Sequence, residues 1–163
     1  MKKLIPALLI CLILLSACAG EVSIDATEPA GQMQLANPWK SYDSLTDAES
    51  ASGLVFPIPE NIPTGYAVES YRVMNSSLLE VTYLNGDTEI TVRMKAGQDP
   101  DISGVYENFT ETETFDQDGA SIIRKQAEDC LVYLICSDSH SFSIYATSLT
   151  ADAACQELIS YIC

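Results

Sequence analysis

The sequence predicts an α+β domain: an antiparallel β-meander sheet with a short N-terminal helix and a C-terminal helix packed on one face. Three observations carry this. Leu79, Val81 and Tyr83 alternate with Glu80 and Thr82 ahead of Asn85-Gly86, and Ile90, Val92 and Met94 alternate with Glu89, Thr91 and Arg93 behind it. Two further apolar-rich segment pairs turn at Asp118-Gly119 and at Asp138-Ser139-His140. At the end of the chain Cys155, Leu158, Ile159, Ile162 and Cys163 recur at helical spacing, an apolar stripe that needs a sheet face to cover.

Taken in order, the chain opens with Lys2 and Lys3 and an apolar run from Leu4 to Leu15. This is the layout of a secretory signal peptide, too short for a span of about 20 apolar residues. Leu15-Ser16-Ala17-Cys18 resembles the bacterial lipobox at every position. Small residues suit a protease gripping an extended chain beside the bilayer, and the Cys18 thiol would carry a diacylglyceryl group through a thioether. Two acyl chains make a stable anchor where one is marginal. Residues 1–17 are therefore expected to be a lipoprotein signal peptide, with Cys18 lipidated and the protein held on the extracytoplasmic face of the cell membrane. The bilayer is then its first partner.

Cleavage before Cys18 leaves six Lys and Arg against 23 Asp and Glu, a formal charge of −17. Such a body is repelled by nucleic acid and by anionic surfaces, which excludes nucleic-acid binding as a function. Residues 18–36 are small, polar and acidic without apolar periodicity, and read as a flexible tether. Residues 37–163 suit a single domain with one core.

Within that domain Ser44 caps a short helix through Ala48 and Glu49 that Gly53 ends. The prolines of Phe56-Pro57-Ile58-Pro59 and Ile62-Pro63-Thr64-Gly65-Tyr66 exclude a helix and favour an extended run along the core edge. Val68 to Val73 reads as a strand. A two-residue turn at Asn85-Gly86 would set Val81 opposite Ile90, Leu79 opposite Val92 and Glu80 beside Thr91, with one face apolar and the other wet. Phe109 to Phe115 pairs with Ala120 to Gln126, and Cys130 to Cys136 with Ser141 to Thr147. The last helix starts near Thr150.

At this level the chain resembles a known family. Asn37-Pro38-Trp39, the Ala48 helix, the two proline runs, Tyr83-Leu84-Asn85-Gly86 and Ser148-Leu149-Thr150 before the last helix occur in the same order in the domain of unknown function 4367 type. That family is found in Gram-positive lipoproteins and beyond the membrane span of anti-sigma-like proteins. The resemblance implies an extracytoplasmic module, in a clostridial-type bacterium, with no assigned catalytic residue. The four domain cysteines depart from its pattern.

Chemistry-bearing residues are few. His140, the single histidine, sits in a turn among Ser137, Asp138, Ser139 and Ser141, where neighbours rarely reach triad geometry. No Gly-x-Ser-x-Gly elbow, Cys-x-x-Cys pair or phosphate-binding glycine loop occurs. Asp99-Pro100-Asp101-Ile102-Ser103-Gly104 matches the first half of a calcium loop, with Glu107 at the ninth position. The twelfth is Thr110 where a bidentate Glu belongs. The alternative is an acidic inter-strand loop held by Asx turns.

Cys130 and Cys136 lie about 20 Å apart on one strand face, and Cys155 and Cys163 about 12 Å apart along one helix. Any disulfides would then bridge strand to helix, and a helix that starts near Cys130 and runs back toward Cys136 favours Cys130–Cys155 and Cys136–Cys163; otherwise the four are small buried hydrophobes.

The expected role is a non-catalytic protein-interaction or envelope-sensing module. Its contact surface would be the wet sheet face with Glu80, Thr82, Glu89, Thr91 and Arg93. The alternative is a small-ligand or calcium-binding module built on the Asp99 to Glu107 loop, with an enzyme a distant third.

Overall fold

A computed structural model describes residues 37–163, which form one unit, Asn37–Cys163. The signal peptide, Cys18 and the tether lie outside the described residues. The elements run β1 (Trp39–Tyr42), α1 (Leu45–Ser52), β2 (Ala67–Met74), β3 (Leu78–Asn85), β4 (Thr88–Ala96), β5 (Glu111–Gln117), β6 (Ala120–Gln126), β7 (Leu131–Cys136), β8 (His140–Ala146) and α2 (Asp152–Ile162). Among the described residues no helix is long and apolar enough to cross a membrane.

The eight strands make one antiparallel sheet in the order β1-β2-β3-β4-β8-β7-β6-β5. A single meander is therefore not what forms. Two four-strand meanders, β1–β4 and β5–β8, join where β4 pairs with β8. The sequence shows each hairpin but not this seam, because β4 and β8 are distant along the chain.

Local signals set the elements. Ser44 Oγ accepts the Asp47 N–H, and Gly53 at φ 71° closes α1 by bonding Glu49 O. Asp118 and Gly119, at φ 50° and 88°, make the β5–β6 turn. Ser148 caps a 3-10 turn over Leu149–Ala151 that leads into α2.

The β3–β4 hairpin differs from expectation. Its two-residue turn is Gly86-Asp87, with Gly86 at φ 58° in the first central position, where type II′ turns take glycine. The register therefore slips by two residues: Val81 faces Val92, Leu79 faces Met94, and Glu80 faces Arg93. A slip of two keeps every side chain on its own face, so the apolar alternation survives intact.

On that apolar face Leu79, Val81, Ile90, Val92, Leu131, Ile135 and Ile144 meet Ala48, Cys155, Leu158 and Ile159 of the helices in one core. Full burial of a side chain of this size contributes about 1.5–3 kcal/mol. Leu54, Phe56, Ile58 and Ile62 of the proline-rich run join the same core. Thr64 closes that run on α2, its N–H and hydroxyl both donating to the Glu157 carboxylate at 2.9 Å.

The opposite face is not wet. Because β5 lies at the far edge, the β4–β5 connection must cross the sheet. Gly97 O accepts from Ser141 Oγ on β8, Asp99 O lies 3.6 Å from Cys136 Sγ on β7, and Asp101 pairs with Lys125 on β6. This segment roofs the face. On this face Glu80 and Ser141 are wholly buried, and Thr82, Thr91 and Ser143 nearly so.

Candidate functional site

Polar alternation puts Glu80 and Thr82 of β3 and Glu89, Thr91 and Arg93 of β4 on the roofed face. The structure keeps them on one face, where all but Thr82 line a cleft and not an open surface. Cross-strand register does the rest. Arg72, Glu80 and Arg93 are direct neighbours on β2, β3 and β4. Arg72 Nε donates to Glu80 Oε1 at 2.6 Å and Arg93 Nε to Glu80 Oε2 at 2.8 Å, while Arg72 Nη2 also pairs with Glu80. One buried carboxylate thus holds two guanidinium groups in fixed orientation. Trp39 of β1 covers both, its ring 5.1 Å from the Arg72 guanidinium carbon and 5.3 Å from that of Arg93.

Arg93 also holds the roof, its Nη1 donating to the carbonyls of Ile102 and Ser103. Between this roof and the sheet lies a cavity of about 330 Å³ with Arg72, Glu80 and Arg93 at one end. Thr91 and Ser143 line its floor, Glu89 and Tyr145 its other end, and Ser103 to Glu107 its wall. A second cavity of about 320 Å³ lies on the other side of Arg93 and shares Gly104 and Tyr106 with the first. Tyr106 stands at the rim of both and is 97% exposed.

Cations are scarce in this chain, so their placement matters. Of the six Lys and Arg in residues 37–163, Arg72, Arg93, Lys95 and Lys125 all pair with acids on the roofed face. Lys95 Nζ meets Asp99 Oδ2 at 2.7 Å, and Lys125 Nζ meets Asp101 Oδ2 at 3.0 Å. The hydrogen bond from Lys95 holds the Asp99 carboxyl below its usual range. Partial burial pushes Asp101 up, but hydrogen bonds from Ser103 and Lys125 outweigh it and the carboxyl ends below its usual range.

These pairings bear on the calcium loop. Asp101 Oδ1 accepts from Ser103 N and Oγ, and Asp99 Oδ1 from Asp101 N at 3.4 Å, in successive Asx turns. Glu107 lines the cleft instead. Among the described residues no cluster of three or more Asp, Glu, His or Cys is placed to hold a metal ion. A cation at this loop would have to displace both lysines.

The cysteines are not brought together either. Cys136 lies on the roofed face beside Ser141, and Cys130 neighbours Tyr145 there. Cys155 and Cys163 pack with the core on the opposite face. The sheet stands between the members of each expected pair, and all four thiols are free. Burial pushes the Cys155 thiol up to about 12. His140 bonds Ser139 Oγ through Nδ1 at 2.8 Å in the β7–β8 turn, with no acid completing a triad.

Sequence reasoning missed Arg72, Trp39, Ser143 and Tyr145 as parts of this site. A signal was present for one of them: Arg72 is the single basic residue of β2, set between Tyr71 and Val73, and its partner carboxylate occupies a matching position in β3. Trp39 carried none, because no local pattern marks its four-residue edge strand. No family model, curated protein or solved structure matches the chain, so the likeness to the domain of unknown function type rests on the motifs quoted for it.

Proposed function

We propose that this chain is a lipid-anchored lipoprotein of the extracytoplasmic face of the cell membrane. Its domain is a non-catalytic recognition module that binds an envelope component in the roofed cleft. The observation that supports this is the Arg72–Glu80–Arg93 floor. A buried ion triad is weak as a stabiliser, since desolvation offsets most of its attraction. It does hold charged donors rigidly at the base of an accessible cavity, which is what polar recognition requires.

The cleft volume favours a small ligand or a short chain segment. Large exposed hydrophobics among the described residues are scattered at Val55, Tyr106 and Tyr161, so no broad apolar patch invites a large protein interface. A partner protein is the second reading, favoured by the full exposure of Tyr106 at the rim.

Cross-linking on intact cells tests the proposal. A photoreactive residue replacing Tyr106 in the full lipidated chain should capture a discrete envelope component, and the same residue at exposed Val55 should not. Equal capture at both positions, or none at Tyr106, would sink the cleft as the site. For the anchor, Cys18→Ser should abolish palmitate labelling and release the protein from membranes; membrane retention would refute lipidation.

A further inference from the structure

We infer that the cleft takes a zwitterionic peptide of two or three residues, its carboxylate against Arg72 and Arg93 and its ammonium group against Glu89 and Glu107. This rests on the cleft being the binding site and concerns what it selects.

The charges are separated along one strand. Arg93, Thr91 and Glu89 alternate on the same face of β4, so the Cα atoms at the two ends stand about 13 Å apart. Arg93 stays at its own end, drawn sideways to Glu80 on the neighbouring strand and to the roof carbonyls, whereas Glu89 leans inward, its Oε1 accepting the Thr91 hydroxyl at 3.0 Å. An extended chain advances about 3.3–3.6 Å per residue. Two or three residues therefore span the gap, and a single amino acid does not.

The two ends carry opposite net charge. At the first, two guanidinium groups share one carboxylate, leaving one positive charge in excess. Arg72 Nη1 and Arg93 Nη2 make no hydrogen bond among the described residues and can donate to an incoming carboxylate. At the second end Glu89 and Glu107 have no ion-pair partner among the described residues. Burial first, and then acidic groups that include Glu107 and Glu89, hold the Tyr145 hydroxyl above its usual value, which marks this end as a region of negative potential. Thr91 and Ser143 lie between: the Thr91 hydroxyl, its hydrogen on Glu89, can accept from a peptide N–H, and Ser143 Oγ can donate or accept.

A simple anion, such as a phosphate or dicarboxylate, would satisfy the arginines but meet two glutamates. A polyamine would do the reverse. A ligand with one charge of each sign at its ends meets neither penalty.

An NMR titration of the full lipidated chain in detergent micelles, following the Arg72 and Arg93 Nε–Hε signals, tests this. The probe is a pooled library of unmodified tripeptides, with the same pool N-acetylated or C-amidated as controls. The unmodified pool should shift both signals, and each blocking group should weaken binding about tenfold or more, the loss of a charge-assisted contact. The double variant Glu89→Gln/Glu107→Gln should lose its discrimination against acetylation and keep that against amidation. Absence of shifts at millimolar peptide, or equal shifts with blocked pools, would overturn the ligand class. If Tyr106 cross-linking still captures an envelope component, only the ligand class falls; if that fails as well, the cleft reading falls with it.

Discussion

Gly104 sits so close to Arg93 that a Cβ on it would stand 2.6 Å from Arg93 Nη1. The contact matters because that guanidinium cannot easily give way. It is held by Glu80 on one side and by the carbonyls of Ile102 and Ser103 on the other. Gly104 also has φ +64°, where a side chain is strained whatever the space. The tightness of the roof over the cleft is therefore set by one glycine.

Gly104→Ala should lower stability by about 1–3 kcal/mol, the range for a non-glycine residue forced into such backbone geometry. It should also shift the emission of Trp39, the single tryptophan, which lies over Arg93. Urea denaturation followed by Trp fluorescence checks both effects at once. An unchanged midpoint with unchanged emission would mean that the roof does not rest on Arg93.

Glu80→Gln removes the carboxylate that two arginines share. Breaking a fully buried pair costs about 3–5 kcal/mol. Here Arg72 and Arg93 keep 38% and 20% of their side-chain surface exposed and can turn partly to solvent, so we expect about 2 kcal/mol. Arg72→Gln should cost less than Arg93→Gln, because only Arg93 also holds the roof. Equal losses for the two arginine variants in urea melts would contradict this ordering.

Acid should loosen the roof loop before the sheet. The Asp99 and Asp101 carboxyls are held below their ordinary value of 3.8. Their contribution is then fully present above that value and is lost as pH falls through the lower folded values. Amide exchange of residues 98–105, measured from pH 5 to pH 2, should rise ahead of exchange in β3 and β4. Lys125→Met should move the onset to higher pH. Uniform exposure of loop and sheet would rule this out.

Alkali should act through Tyr133 as well as through Tyr83, whose hydroxyl burial raises further still. The buried Tyr133 hydroxyl donates to Asp152 and accepts from Arg124 Nε at 3.2 Å and Gln156 Nε2 at 3.0 Å. Burial, with the adjoining Asp152 carboxylate, pushes it up to about 12. The folded state then keeps a proton that the unfolded chain loses near pH 10, so stability should fall as pH rises from about 10 towards 12. Tyr133→Phe should flatten that slope and cost about 1–2 kcal/mol at neutral pH. A slope unchanged by the substitution would assign the loss to other groups.

Thiol titration checks the sheet's separation of the cysteines. The denatured, unreduced domain should give four free thiols. In the native protein Cys136 and Cys163 should react first and Cys155, fully buried, last. Fewer than four thiols on denaturation would mean a bridge that this fold does not accommodate.

Much of this architecture was legible in local pattern. Period-two alternation in β3 and β4, the Asp118-Gly119 turn and the α2 stripe each report a physical preference spanning a few residues, and each element formed. Even the misplaced Asn85-Gly86 turn cost nothing in sidedness, because a two-residue slip preserves which face each side chain takes. It did change the partner of Glu80 from Thr91 to Arg93, and with it the chemistry of the site.

By itself the sequence determined the element types and which side chains share a sheet face. Tertiary structure alone decided that β4 pairs with β8, that the following segment must cross the sheet, and that the face carrying Glu80 and Arg93 is roofed. The physical reason is range. Side-chain periodicity records the environment along one strand, whereas strand order and the path of an aperiodic loop depend on pairings between residues some fifty positions apart, such as Arg93 with Ser143. No local pattern encodes those pairings.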